Sequence, residues 1–196
     1  RAKLVRILGE AAKNRVVLPE VLPALYSAMT DLEVIVRVEA AAAYRHVAGD
    51  SADDLPSLYH ESFLCMLQDP YVAVQCAALE SLEEVDLPAQ YRERGTHLAW
   101  LLVQIHRSGK YARTLGSALR AFCATSGDGH PRWKAGLPQI VEIARTLGTF
   151  DAHTAVQRLR WRLHGIDGFA DLLVDLLEDP QLGFARHEML EELQRE

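Results

Sequence analysis

Apolar positions along the chain recur at helical rather than strand spacing. Val74, Ala78, Ser81, Leu82 and Val85 fall at i, i+4, i+7, i+8 and i+11, a face of small and apolar residues against which a neighbouring helix could come close. Just upstream, Asp69 offers a carboxylate to the free N–H groups of a helix start and Pro70 suits a first helical turn, so a helix is predicted over 70–85. The same pattern stands 38 residues earlier, where Asp31 precedes Val36, Arg37, Ala40, Ala43, Tyr44 and Val47. A shift of 82 residues carries Leu55-Pro56, Asp69 and Ala73-Val74-Gln75 onto Leu137-Pro138, Asp151 and Ala155-Val156-Gln157. Three separate marks agreeing on one shift predict internal repetition at a solenoid period.

Leu-Pro also occurs at Leu18-Pro19 and Leu87-Pro88, each time placed to open the first helix of a pair. The expected helical hairpins are 18–48, 55–86, 87–125, 137–165 and 168–196. Pro23 falls inside the first helix, where a missing hydrogen bond would bend it. Gly49 should stop the second helix and open a polar loop over 49–54, and Gly109 should separate the two helices of the third pair. The strongest loop signal is Ser126-Gly127-Asp128-Gly129-His130-Pro131. Residues 1–9 hold Leu4, Val5, Ile7 and Leu8 before Gly9, with Ala2 one 38-residue step ahead of Ala40. They are expected to be a remnant or cap helix, the end of a second helix whose apolar face met an upstream repeat, in a chain that is part of a larger protein.

The stretch 67–82 resembles the turn and second helix of a HEAT repeat, and the likeness extends over most of the chain. The first two repeats carry the family's Asp, Val, Arg-or-Gln and Ala marks at Asp31, Val36, Arg37 and Ala40, then at Asp69, Val74, Gln75 and Ala78. Three places depart from it. Arg107-Ser108-Gly109-Lys110 replaces the third Asp corner, Arg160 stands where the family has Ala, and Asp179-Pro180 reaches Ala185-Arg186 only with one residue inserted. The resemblance implies an all-α, right-handed α-solenoid of about five HEAT-like hairpins forming a single domain over 1–196. It implies a non-enzymatic protein-interaction scaffold whose second helices line a concave docking face, with Arg37, Gln75, Arg113 and Gln157 on it. In such repeats an Arg at position 37 is more often a rung between Asp corners than a ligand contact.

Composition agrees with a packed helical chain: 196 residues, 49% of them apolar and 24% charged, suffice for a continuous core. The apolar run from Leu98 to Val103 is far short of the roughly 20 residues that a bilayer requires, so no membrane helix is expected. Cys65, Cys76 and Cys123 are odd in number and widely spaced, and are expected as buried free thiols in a reducing, cytoplasmic setting.

Charge changes the picture more than composition does. The net charge is −6 over residues 1–106, +7 over 107–164 and −7 over 165–196. The basic segment holds Arg107, Lys110, Arg113, Arg120, Arg132, Lys134, Arg145, Arg158, Arg160 and Arg162, interleaved with Trp133 and Trp161. If these converge, an acidic protein segment or a phosphate backbone could dock there, with Arg113, Arg120, Arg158, Arg160, Trp161 and Arg162 as contacts. The plainer reading leaves them solvated and partly paired with the acidic flanks. Binding of nucleic acid, as in the HEAT-like alkylpurine DNA glycosylases, is the second choice because the chain as a whole is acidic and lacks a recognisable catalytic constellation.

Arg186-His187-Glu188 resembles one His-Glu pair of the HEAT-like deoxyhypusine hydroxylases, whose di-iron site draws such pairs from several repeats. The equivalent positions of the first two repeats hold Val38-Glu39 and Cys76-Ala77, and His60-Glu61 falls in a first helix, so the ligand set is incomplete. No metal or cofactor is expected. His97, His106, His130, His153 and His164 show no metal spacing and are expected at surfaces or helix ends.

Overall fold

The computed structural model describes residues 1–13, 21–106 and 112–126. Among the described residues every regular element is helical: α1 (Ala2–Lys13), α2 (Val21–Met29), α3 (Val34–Ala48), a 3-10 turn over Gly49–Asp54, α4 (Ser57–Met66), α5 (Val72–Leu82), α6 (Ala89–His106) and α7 (Ala112–Thr125). None of these helices is long and apolar enough to cross a membrane. The hairpins expected over 137–165 and 168–196 lie outside the described residues, as do the basic corner 107–110 and Leu18-Pro19.

The helices pack in sequential pairs, α2 on α3, α4 on α5 and α6 on α7. Between pairs, α3 lies against α1 and α5, α5 against α3 and α7, and α4 against α2 and α6. Two sets of helices therefore adjoin their counterparts one pair away.

The repeated apolar face explains this arrangement. Val36, Ala40, Ala43, Tyr44 and Val47 of α3 are buried, and so are Val74, Ala78, Ser81, Leu82 and Val85, the same five positions 38 residues on. Small residues bring the backbones together: Ser81 Oγ donates to the carbonyl of Ala41 on the neighbouring helix at 2.7 Å. In α7 the buried residues Thr114, Ala118, Ala121, Phe122 and Thr125 repeat that spacing at a step of 40 rather than 38, with Leu115 and Ser117 buried beside them. The third pair is thus two residues out of phase with the first two. Between the layers, the Tyr44 ring stacks on Phe63 at 3.9 Å, and Trp100, half-buried and packed against the core, leans on Phe122 at 5.0 Å.

Several expectations need correction. Helix α1 does not stop at Gly9 but runs on to Lys13. A Cβ on Gly9 would lie 3.0 Å from the Cβ of Ala43, so this glycine serves close approach of α1 to α3 rather than termination. Pro70 is not in the first turn of α5: the helix begins at Val72 behind an extended Tyr71, and Pro70 only shapes the corner. The polar segment 49–54 is a 3-10 turn that buries Ala52, entered through Gly49 at φ 45°. Cys65 is exposed, because the apolar side of α4 is already filled by Tyr59, Phe63, Leu64 and Met66; Cys76 is buried as expected.

Candidate functional site

Corners built on aspartate join the two sets of helices. Asp31 Oδ1 accepts the backbone N–H of Glu33, and Asp69 Oδ1 that of Tyr71, both at 2.9 Å. In each case the aspartate satisfies a donor at the residue just before the helix, two positions ahead of it in sequence. From the next helix turn, a long polar side chain reaches back over the corner. Arg37 Nη1 donates to the carbonyl of Asp31 at 2.7 Å, and Gln75 Nε2 donates to the carbonyl of Asp69 at 2.8 Å.

Those side chains also reach forward to the following corner. The Arg37 guanidinium donates from Nε to Asp69 Oδ2 at 2.7 Å and from Nη2 to Asp69 Oδ1 at 3.2 Å, a two-pronged pair with both side chains about nine-tenths buried. The Tyr71 ring lies 5.6 Å from the guanidinium carbon. The hydrogen bond to Asp69 holds the Arg37 charge against desolvation, raising its already high pKa. Arg1 makes the preceding rung with Asp31 at 3.0 Å, and Gln75 Oε1 makes the following one by accepting from His106 Nε2 at 3.1 Å. At the end of α6 a histidine therefore meets the forward-reaching Gln75, as Asp69 meets Arg37 one pair earlier. His106 ends α6, one of the two places expected of it, but is buried there, and burial lowers its pKa.

Ion pairs further along the helices tie α3, α5 and α7 together. Arg45 reaches Glu84 at 2.9 Å, Arg113 reaches Glu80 at 2.8 Å, and Arg120 reaches Glu83 at 3.0 Å. The first two are exposed or half-exposed, while the Arg120 and Glu83 side chains are only 14% and 9% exposed, so the last is screened least. Cys76 sits between these pairs, 3.5 Å from Glu80 Oε1 and 3.8 Å from Ser117 Oγ. Burial pushes its thiol pKa up, which holds it protonated and unreactive.

Of the residues singled out from sequence, Arg37 and Gln75 are thus brought together over Asp69, both engaged with the chain's own corners. Arg113 does not continue their series. With the apolar face of α7 shifted by two residues, the position equivalent to Gln75 is the fully buried Leu115, and Arg113 turns to Glu80 instead. Arg120 pairs with Glu83 and also donates to Ser117 Oγ at 3.1 Å. Gln157, Arg158, Arg160, Trp161 and Arg162 lie outside the described residues, as do Arg186-His187-Glu188. Among the described residues no three His, Cys, Asp or Glu side chains converge as a metal site would require.

Sequence reasoning missed the partners more than the corners. Glu80, Glu83 and Glu84 look like an ordinary solvated acidic edge, and only the spacing of 33–39 residues to Arg113, Arg120 and Arg45 could have flagged them. His60 is the other omission: it is almost wholly buried in α4 and hydrogen-bonded to Tyr44, a role that its His-Glu context did not signal. Comparison with protein-family models, curated proteins and solved structures finds no match to this chain.

Proposed function

We propose that the chain is a right-handed α-solenoid of about five HEAT-like hairpins and serves as a non-enzymatic protein-interaction scaffold. The observation that carries this reading is the recurrent corner, in which Arg37 spans from the Asp31 turn to the Asp69 carboxylate and Gln75 repeats the reach one pair on. Each pair is keyed to the next by the same chemistry, so pairs can be added without closing on the first. Arg113 and Arg120 are engaged by glutamates of the neighbouring helix pair, and Cys76 is kept as a thiol. Cys65, exposed and free, suits a reducing cytoplasmic setting.

The docking face of this proposal is the surface of α3, α5 and α7, and the partner is a protein segment, acidic where it meets the basic stretch 107–164. Nucleic acid is the lesser reading, since two of the ten basic residues of that stretch already have carboxylate partners. A photo-crosslinking residue placed in cells at Ala73 of α5 or Arg113 of α7 should yield protein adducts. The same residue at Leu58 of α4 or Glu93 of α6 should not. Adducts only from α4 and α6, or nucleic acid in place of protein, would overturn the assignment.

A further inference from the structure

His60 sits where three helix pairs meet. It lies on α4 with 1% of its surface exposed, its Nδ1 is 2.6 Å from the Tyr44 hydroxyl of α3, and its ring stacks 4.8 Å from that of Tyr91 on α6. Its Nε2 is buried and has no aligned hydrogen-bond partner. Tyr44 is itself fully buried, and burial raises its pKa well above the ordinary phenol value, so its hydroxyl keeps its proton. At neutral pH the consistent arrangement is therefore Tyr44 O–H donating to Nδ1, with the imidazole proton on Nε2.

A second proton cannot be added without loss. Protonated Nδ1 would become a donor, the Tyr44 hydroxyl would have to turn its own proton away, and a full charge would sit between two aromatic rings. The surroundings do little to offset this. Asp53 of the 3-10 turn and Glu61 favour a charged ring, but Glu61 is paired with Arg94 of α6. The carbonyls of Ala52 and Leu55 also favour it, and α2, which packs on α4, carries no charged residue. No α5 carboxylate is among the charges acting on the ring, and desolvation outweighs all of these in the direction of a lowered pKa.

We propose that His60 is an acid-sensitive latch, which joins α3, α4 and α6 while its ring is neutral and releases that junction when the ring takes up a proton. The linkage has a definite sign. The opened chain binds the proton at the ordinary histidine value of about 6.5 and the closed chain only below it, so stability is full above about pH 6.5 and falls as pH drops towards the closed-state value. Within that window one extra proton lowers the closed-to-open equilibrium constant about tenfold per pH unit.

The test uses the full chain and the double variant Tyr44→Phe/His60→Leu, which replaces the buried pair with apolar groups of similar shape. Urea unfolding between pH 7.5 and 5.0 should show the wild type losing up to about tenfold more per pH unit than the variant, with His106 and the carboxylates common to both. Should the variant not fold, the wild type suffices. Histidine ring signals from an isotope-labelled chain, with His60 and His106 assigned separately, should show the His60 imidazole still neutral just below the ordinary histidine value of about 6.5. Amide exchange in α4, corrected for its intrinsic pH dependence, should quicken below that pH. Equal slopes for the two proteins, or a His60 ring titrating near 6.5 with α4 protection unchanged, would overturn the proposal.

Discussion

The pair between Arg37 and Asp69 offers the sharpest energetic test of the corner chemistry. Its two hydrogen bonds join groups whose side chains are 12% and 9% exposed, so water and salt screen them little. Substituting Arg37→Met keeps most of the aliphatic stem but strips Asp69 of its cation and the Asp31 and Leu32 carbonyls of a donor. Leaving a nearly buried carboxylate unpaired should cost about 3 kcal/mol, the low end for a broken buried pair, because Asp69 still accepts the Tyr71 N–H. Substituting Asp69→Asn preserves that acceptor and removes the charge. In a double-mutant cycle followed by urea unfolding, the coupling energy should be about 2 kcal/mol, as expected for charge-assisted bonds away from water. The pair Arg113–Glu80, whose Arg113 side chain is 79% exposed, serves as the internal comparison and should give less than about 1 kcal/mol. Raising the salt concentration should erode the second coupling and leave the first nearly intact. A coupling for Arg37–Asp69 no larger than that for Arg113–Glu80 would refute the view that the corners hold the stack.

Glycine substitutions give two further contrasts. Gly9→Ala should destabilise the chain despite the better helix former, because the added methyl meets the Cβ and Cα of Ala43 at 3.0 and 3.2 Å. Gly95→Ala should be neutral or stabilising by up to about 1 kcal/mol, since its nearest neighbours are the flexible ends of Leu87, Leu82 and Leu64; thermal unfolding of the two variants decides the order. Gly49→Ala has open space but a φ of 45° with ψ −137°, outside the left-handed helical well, so it should cost about 1–3 kcal/mol through backbone strain alone, and Gly49→Asn should cost as much in the same melt.

What could be read from the sequence was whatever depends on a short local pattern. The apolar faces of α3 and α5 and the Asp corners follow from spacing within a single helix and turn, and a 38-residue step links them. What could not be read depends on the neighbour. Gly9 looks like a stop signal until Ala43 is seen against it, and Pro70 looks like a first-turn proline until Asp69 is seen capping Tyr71. The two-residue slip in the third pair moved Arg113 off the series, because the buried face of α7 fixes which side chains can point outward. Likewise, nothing local marks His106 as the partner of Gln75 or His60 as the partner of a tyrosine 16 residues away.

In the proposed solenoid, successive helices of one set are separated by equal steps, and α1 and α7 stand at opposite ends of the described stack. Nitroxides attached without cysteine chemistry at Arg6 of α1 and Arg113 of α7 measure this by dipolar spectroscopy. Three interhelical steps of about 8–10 Å predict a distance centred at roughly 25–30 Å, plus the label arms. A distribution centred below roughly 15 Å, as neighbouring helices of a closed bundle would give, contradicts the account.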